Sequence, residues 1–357
     1  MIFLRKNFFK ILITIILLTF LIIAPYPLFT KINSLNYNLN SEYKFEYNGV
    51  IELWNVDTFE GGSVSRTTFI ENRCVEFEKK HKGVLILVKN ITLEQLELNL
   101  KSNKKPSIIT FGIGTGDYIV NDLVSISSQY NIRDDLIKSS IIDKKIKALP
   151  IMLGGYSLIT NKEKLSSTNT QDILSSSLIY SREDYNIPLF SLFVNNLAPK
   201  VNSDISVNSF DAYDKFIHEN YNSLLGTQRD FFRCKNRENN LKMQCNYINL
   251  GGYTDLIVYG GIFKSNAKTE QISQKFLEYL VSDNVQDNLS NIGMFSVLNK
   301  NIYTDDSYKE FNKTLLKPLK TINVFYSNVT LKNIKNSLED YFYNLKDNKN
   351  EILKYLN

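Results

Sequence analysis

The sequence predicts an α/β protein of two lobes. Between Val50 and Phe111 the apolar runs read strand, helix, strand, helix, strand, the order of a parallel sheet covered by helices. A second α/β region opens after Pro150. Roughly 310–325 residues follow the N-terminal apolar segment, more than one ordinary core usually holds. Two cores are therefore expected.

Val50 to Trp54 is the first strand candidate, and it leads into a polar, glycine-containing loop from Asn55 to Gly62. Beyond it, Ser65 or Thr67 caps a helix whose apolar positions Phe69, Ile70, Val75 and Phe77 recur near helical spacing, and Gly83 ends it. Val84 to Val88 is a continuous apolar run, as expected of a strand buried on both faces. Thr92 and Gln95 have the spacing of a capping box for the next helix. Ser107 to Phe111 reads as the third strand. After Pro150, Tyr156 to Thr160 reads as a strand, and the chain from there to Leu225 as mostly helical or irregular, with Ser166 to Ser177 a surface loop. Ile272, Phe276, Leu277, Leu280, Val285 and Leu289 mark an amphipathic helix pair, and Asn333 to Leu356 is a further helical stretch. The sequence has no internal repeat.

The stretch before Ile11 carries Arg5, Lys6 and Lys10 and no acid, and an apolar run from Ile11 to Ala24 continues through Pro25 and Pro27 to Phe29. This order keeps the N-terminus cytoplasmic. As a helix, Ile11 to Ala24 spans about 21 Å against a hydrocarbon core of roughly 30 Å, whereas the run counted to Phe29 is long enough. No A-x-A-like cleavage pattern follows Ala24. Residues 1–30 are expected to remain as a signal anchor, with secretion after cleavage as the alternative. Residues 31–47, rich in Asn, Ser and Tyr, are expected to form an extended tether.

A net charge of +5 is small for this length, and no Lys/Arg-rich run stands out, which argues against nucleic acid as a partner. Three cysteines make no disulfide framework. Cys74 shares a helix face with Phe69 and Phe77 and reads as a buried thiol; Cys234 and Cys245 are close enough in sequence to close a hairpin, and a bridge between them stays open. Catalytic signatures are missing: the sequence contains neither HExxH nor GxSxG, and His81 and His218 sit in polar, helical surroundings and read as solvent-facing. The glycines at 112, 114 and 116 fail as a dinucleotide loop because position 117 is Asp117. No cofactor or metal is expected.

Four fragments in one order, Gly49 to Arg66, Lys105 to Gly116, Ala148 to Asn161 and Gly226 to Tyr259, together resemble bacterial extracellular solute-binding proteins of the sugar type (family 1). These are the ligand-capturing components of ABC importers. The run Ile292 to Val297 resembles the family's third crossover, so the resemblance covers most of the chain beyond the anchor. It implies a two-lobed, periplasmic-binding-protein-like fold with hinge crossovers near Met152, Tyr253 and Phe295. The first lobe would be 48–151 plus 255–295, and the second 152–254 plus 296–357. Two departures stand out. Pro106 is followed by Ser107 where the family usually has Asp, and there is no cysteine before Cys74 to carry a lipid.

The resemblance also implies a ligand site. Asp57, Thr58 and Glu60 come from the loop after the first strand, where carboxylates can accept hydroxyl hydrogen bonds. Phe111 falls where some members present an aromatic face to a sugar, though a core phenylalanine fits it equally, and Gly114 follows in the same loop. Gly154 and Tyr156 lie at the first crossover, where glycine permits close approach. Arg229 offers a fork of donors to vicinal hydroxyls or pairs with Asp230, and Tyr253 lies at the return crossover. The function implied is capture of a sugar or oligosaccharide between the lobes and delivery to an ABC permease, by a monomer on the outer face of the membrane. Asp57 with Glu60 could instead serve a membrane-anchored carbohydrate-active enzyme. A ligand sensor without a transport role is the other alternative.

Overall fold

The computed structural model describes residues 47–56, 58–59, 62–127, 131–200, 206–219, 221–240 and 243–357. The expected anchor, residues 1–30, and the tether as far as residue 46 lie outside the described residues, as do Asp57 and Glu60. Among the described residues no helix is long and apolar enough to cross a membrane.

Strand β1 (Gly49–Val56), helix α1 (Arg66–Lys80), β2 (Val84–Ile91), α2 (Leu93–Lys101) and β3 (Ile108–Phe111) alternate as the sequence predicts. A short hairpin, β4 (Ile141–Ile142) and β5 (Lys145–Ile146), precedes β6 (Leu149–Leu153). Next come β7 (Tyr156–Asn161), β8 (Leu178–Tyr180), α3 (Ser209–His218), β9 (Ser223–Thr227), α4 (Gln228–Asn239) and β10 (Cys245–Leu250). The chain returns through β11 (Ile257–Ile262) and α5 (Ala267–Leu280), and continues into α6 (Asp306–Leu316) and α7 (Asn328–Tyr343).

Two sheets define the two lobes. The first has the order β2-β1-β3-β11-β6, with β1 parallel to β2 and β3, and β11 antiparallel to both β3 and β6. The second has the order β10-β7-β9-β8, in which only β8 and β9 run parallel. A large core cluster backs the second sheet, joining Leu158, Tyr180, Phe190, Phe193 and Leu225 to Leu331, Ile334 and Leu338 of α7.

Local chemistry explains several elements. Thr92 and Gln95 form the predicted capping box of α2, each side chain accepting from the other's backbone N–H. Ser65 precedes α1 without a side-chain cap, and Gly83 occupies the turn after it at φ +93°. Strand β2 differs from expectation. It is an edge strand, so Leu85 and Leu87 stay about half exposed while Val84 and Ile86 are buried. A run of five apolar residues therefore covers one face only. The segment read as helical or irregular before Leu225 contains β8 and the start of β9, because a three-residue strand is too short to show alternation. His81 is partly buried with its ring stacked on Phe77 at 3.9 Å, whereas His218 is exposed and bonds to Asp214.

The chain passes between the sheets at Gly154-Gly155, between β6 and β7, and again between β10 and β11. Phe295 then bridges Leu153 in a two-way backbone pair, with N–O distances of 3.0 and 2.8 Å. Gly154 is packed into the first passage. A Cβ there would lie 2.6 Å from Gln228 Oε1 and 2.9 Å from Leu256 Cβ, while its N–H donates to Leu256 O at 2.6 Å. A Cβ at Gly154 would thus point into the packing of this passage. Gly154→Ala should cost about 1–3 kcal/mol by overpacking, and Gly154→Trp should prevent folding. Urea denaturation followed by circular dichroism checks both; a stably folded Gly154→Trp would show that this passage can open.

Candidate ligand cleft

Strands of an open α/β sheet expose their carboxyl ends to the crevice where ligands sit. The parallel pair β8 and β9 ends in two such loops. From β8 the chain runs through Ser181, Asp184, Asn186 and Pro188; from β9 it runs through Gly226 and Thr227 straight into α4. Together they line an open cleft. The N-terminal part of α3 contributes Ser209 and Ala212, α4 contributes Arg229, Asp230 and Arg233, and Phe59 reaches in from the loop after β1. Tyr156 and Leu256 form the base from the two passages between the sheets.

Each polar wall is fixed by its own hydrogen bonds. Thr227 and Asp230 form a capping box for α4: Asp230 Oδ2 accepts from Thr227 N at 2.9 Å, and Thr227 Oγ1 accepts from Arg229 N at 3.2 Å. Arg233 lies over the Tyr213 ring, 4.8 Å from its centroid, and 3.8 Å from Asp230. Burial pushes the Asp230 carboxyl up, against the hydrogen bonds from Thr227 and the charges of Arg233 and Arg229. Asp184 Oδ2 accepts from Ser181 Oγ at 2.7 Å and from Ser209 N at 2.9 Å. From behind, Lys335 on α7 donates to the carbonyls of Arg182 and Asp184, and Arg182 pairs with Glu339 at 2.7 Å. Helix α7 thus clamps the β8 loop. The Phe59 ring carries the Arg66 guanidinium 4.4 Å from its centroid.

Beneath the cleft lies a buried carboxylate. Asp255 accepts from Tyr156 Oη at 2.5 Å and from Ile187 N at 2.6 Å, while Asn186 Nδ2 donates to its carbonyl at 3.3 Å. Burial raises its pKa above 3.8 despite these donors. Tyr253 stacks nearly parallel to Tyr156, 6.4 Å away.

Of the residues singled out from the sequence, Tyr156 and Arg229 come together in the cleft lining. Thr58 sits against Gly112, where an added Cβ would lie 2.0 Å from its Oγ1. Phe111 is fully buried between Tyr259 and Phe325. Gly114, at φ +88°, lies under the Tyr185 ring, and Tyr253 is fully buried behind Tyr156. Sequence reasoning missed Phe59, Ser181, Asp184, Asn186 and Arg233. Arg233 follows Arg229 at helical spacing, a signal that recognising α4 would have supplied.

Several solved structures share this fold. The GacH receptor of Streptomyces glaucescens GLA.O, described with acarbose, superimposes with a TM-score of 0.59 at 12% identity, covering 86% of this chain and 98% of that one. The sugar-binding protein MalE from Xanthomonas citri gives 0.60 at 13% identity, covering 86% and 95%. The cyclic α-maltosyl-1,6-maltose binding protein from Arthrobacter globiformis gives 0.58 at 11% identity, covering 86% and 97%. At such identities the likeness establishes the two-lobed binding-protein fold. No protein-family profile and no curated protein sequence matches the chain.

Tyr156→Phe removes a donor to a buried carboxylate and should cost about 1.5–3 kcal/mol. With its pKa raised in the folded state, Asp255 binds protons there at pH values where the unfolded chain has lost them, so folding is favoured as pH falls through that window. The variant raises that pKa further, so its deficit should shrink on acidification. Urea titrations at neutral and mildly acidic pH test this; a deficit independent of pH would detach Tyr156 from Asp255.

Proposed function

We propose that the protein is the extracellular solute-binding component of an ABC importer, capturing a sugar or oligosaccharide between its lobes and delivering it to a permease. The observation that carries this reading is the cleft at the carboxyl ends of β8 and β9, which faces an aromatic ring, Phe59, with guanidinium donors at Arg229 and Arg233 and a carboxylate acceptor at Asp184. Rings pack on the apolar face of a pyranose, and forked donors and carboxylates suit its hydroxyls. The ligands of the structures sharing the fold, acarbose and maltose-type sugars, support the same class.

In this reading the lobes are 48–151 plus 255–295 and 152–254 plus 296–357, and the chain acts as a monomer. The apolar segment from Ile11 holds it on the outer face of the membrane. It binds and does not transform its ligand, and neither nucleic acid nor a metal takes part. Asp57, Thr58 and Glu60 border Phe59 in sequence and belong to the first lobe's contribution. Phe111, Gly114, Gly154 and Tyr253 support the cleft from behind.

Titration calorimetry with maltose, maltotriose and a panel of monosaccharides tests this reading. Binding that leaves the sugar chemically unchanged is expected, with affinity falling tenfold or more in Phe59→Ala and in Arg229→Ala. Prolonged chelation should leave the affinity unaltered. Absence of binding heat across the panel would overturn sugar capture, and turnover of the sugar would favour an enzyme.

A further inference from the structure

Cys234 and Cys245 lie on two packed neighbours of the second lobe, α4 and β10. Cys234 lies midway along α4, and Cys245 opens β10 on the strand beside β7. Both are buried, at 0% and 3% exposure, and the neighbouring Cys245 thiol, ahead of burial itself, pushes the Cys234 thiol's pKa up. Cys245 N donates to Glu238 Oε1, one turn beyond Cys234, at 2.8 Å, which ties the start of β10 to α4. Both thiols are free in the structure. Helix α4 is also the element that carries Arg229 and Arg233 into the cleft.

We propose that Cys234 and Cys245 are a disulfide-forming pair that staples α4 to β10 and so braces the guanidinium wall of the cleft. Two S–H bonds break and one S–S bond forms; the two electrons and two protons pass to an external disulfide, such as oxidised glutathione or a thiol–disulfide oxidoreductase, which leaves as two thiols. Such an oxidant belongs to exported compartments. Burial keeps the finished bridge from attack by outside thiols, and the oxidant gains access while the chain folds or when α4 opens locally. Cys74 lies on the buried face of α1 with Phe69 and Phe77 in the first lobe and serves as the internal control.

The test uses the full chain in mild detergent, reduced and then refolded in a glutathione redox buffer. Acid quenching, denaturation, alkylation with N-ethylmaleimide and peptide mass spectrometry follow. The expected result is an alkylated Cys74 with the Cys234 and Cys245 peptides joined to each other. The oxidised chain should also melt higher than the reduced one by about 5 °C, a gain absent in Cys234→Ser. Alkylation of Cys234 and Cys245 to the same extent as Cys74, or stable glutathione adducts in place of the link, would overturn the proposal.

Discussion

The buried carboxylate of Asp255 constrains everything around the cleft. An aspartate removed from water is tolerable only when donors surround it, and here they come from separate parts of the chain. Tyr156 belongs to the outgoing passage between the sheets, Asp255 to the return passage, and Ile187 to the loop after β8. Satisfying one charge therefore fixes three segments relative to each other. Two of them form the crossovers, and the third carries Ser181, Asp184 and Asn186 into the cleft. Displacing any one leaves a charge buried with fewer donors, so these segments hold or fail together.

A second constraint acts from the opposite side of the same loop. Lys335 is largely buried, and burial lowers its pKa against the pull of Asp255, Asp184 and Glu339. Its donors go to backbone carbonyls of Arg182 and Asp184, so it orders main chain directly. With Asp255 holding Ile187 and Lys335 holding the stretch just before it, the loop is pinned at both ends. Asp184, held by Lys335 through its carbonyl, has its Oδ2 already committed to Ser181 and Ser209. A side chain oriented in this way loses little rotamer freedom when a ligand arrives, which is the physical content of preorganisation.

How much of this the sequence disclosed depends on the range of the interaction responsible. Elements specified locally were legible: the Thr92–Gln95 capping box, the helix presenting Phe69, Cys74 and Phe77, and the strand leading to Trp54. The two-lobed α/β class followed from their order and from the fragments around Gly154 and Gly226. Strand β2 misled because an apolar run does not reveal whether one face of the sheet is covered or both. Asp184 was invisible for another reason: its position depends on α7, distant in sequence, and on a strand of three residues. Tyr156 and Arg229, which line the cleft, stand in the fragments that resemble binding proteins, and Phe59 was passed over between polar neighbours that drew attention as hydrogen-bonding groups.

Gly114 shows why a glycine in a promising loop can have two explanations at once. Its φ of +88° already disfavours a side chain, and a Cβ there would come within 2.3 Å of the Tyr185 ring. Tyr185 sits in the β8 loop and Gly114 in the loop after β3, so the glycine is one place where loops of the two sheets touch. Phe59 makes a comparable contact, coming from the loop after β1 to pack against the second lobe's core cluster. Both contacts lie in loops at the carboxyl ends of strands, beside the cleft, so a hinge motion that opened it would break them. A ligand can favour the closed arrangement only through contacts it makes to both lobes in that state. On the proposed reading, Phe59 is the group positioned to provide this: its ring lines the same cleft as Arg229 and Arg233 while its chain belongs to the first sheet's loops.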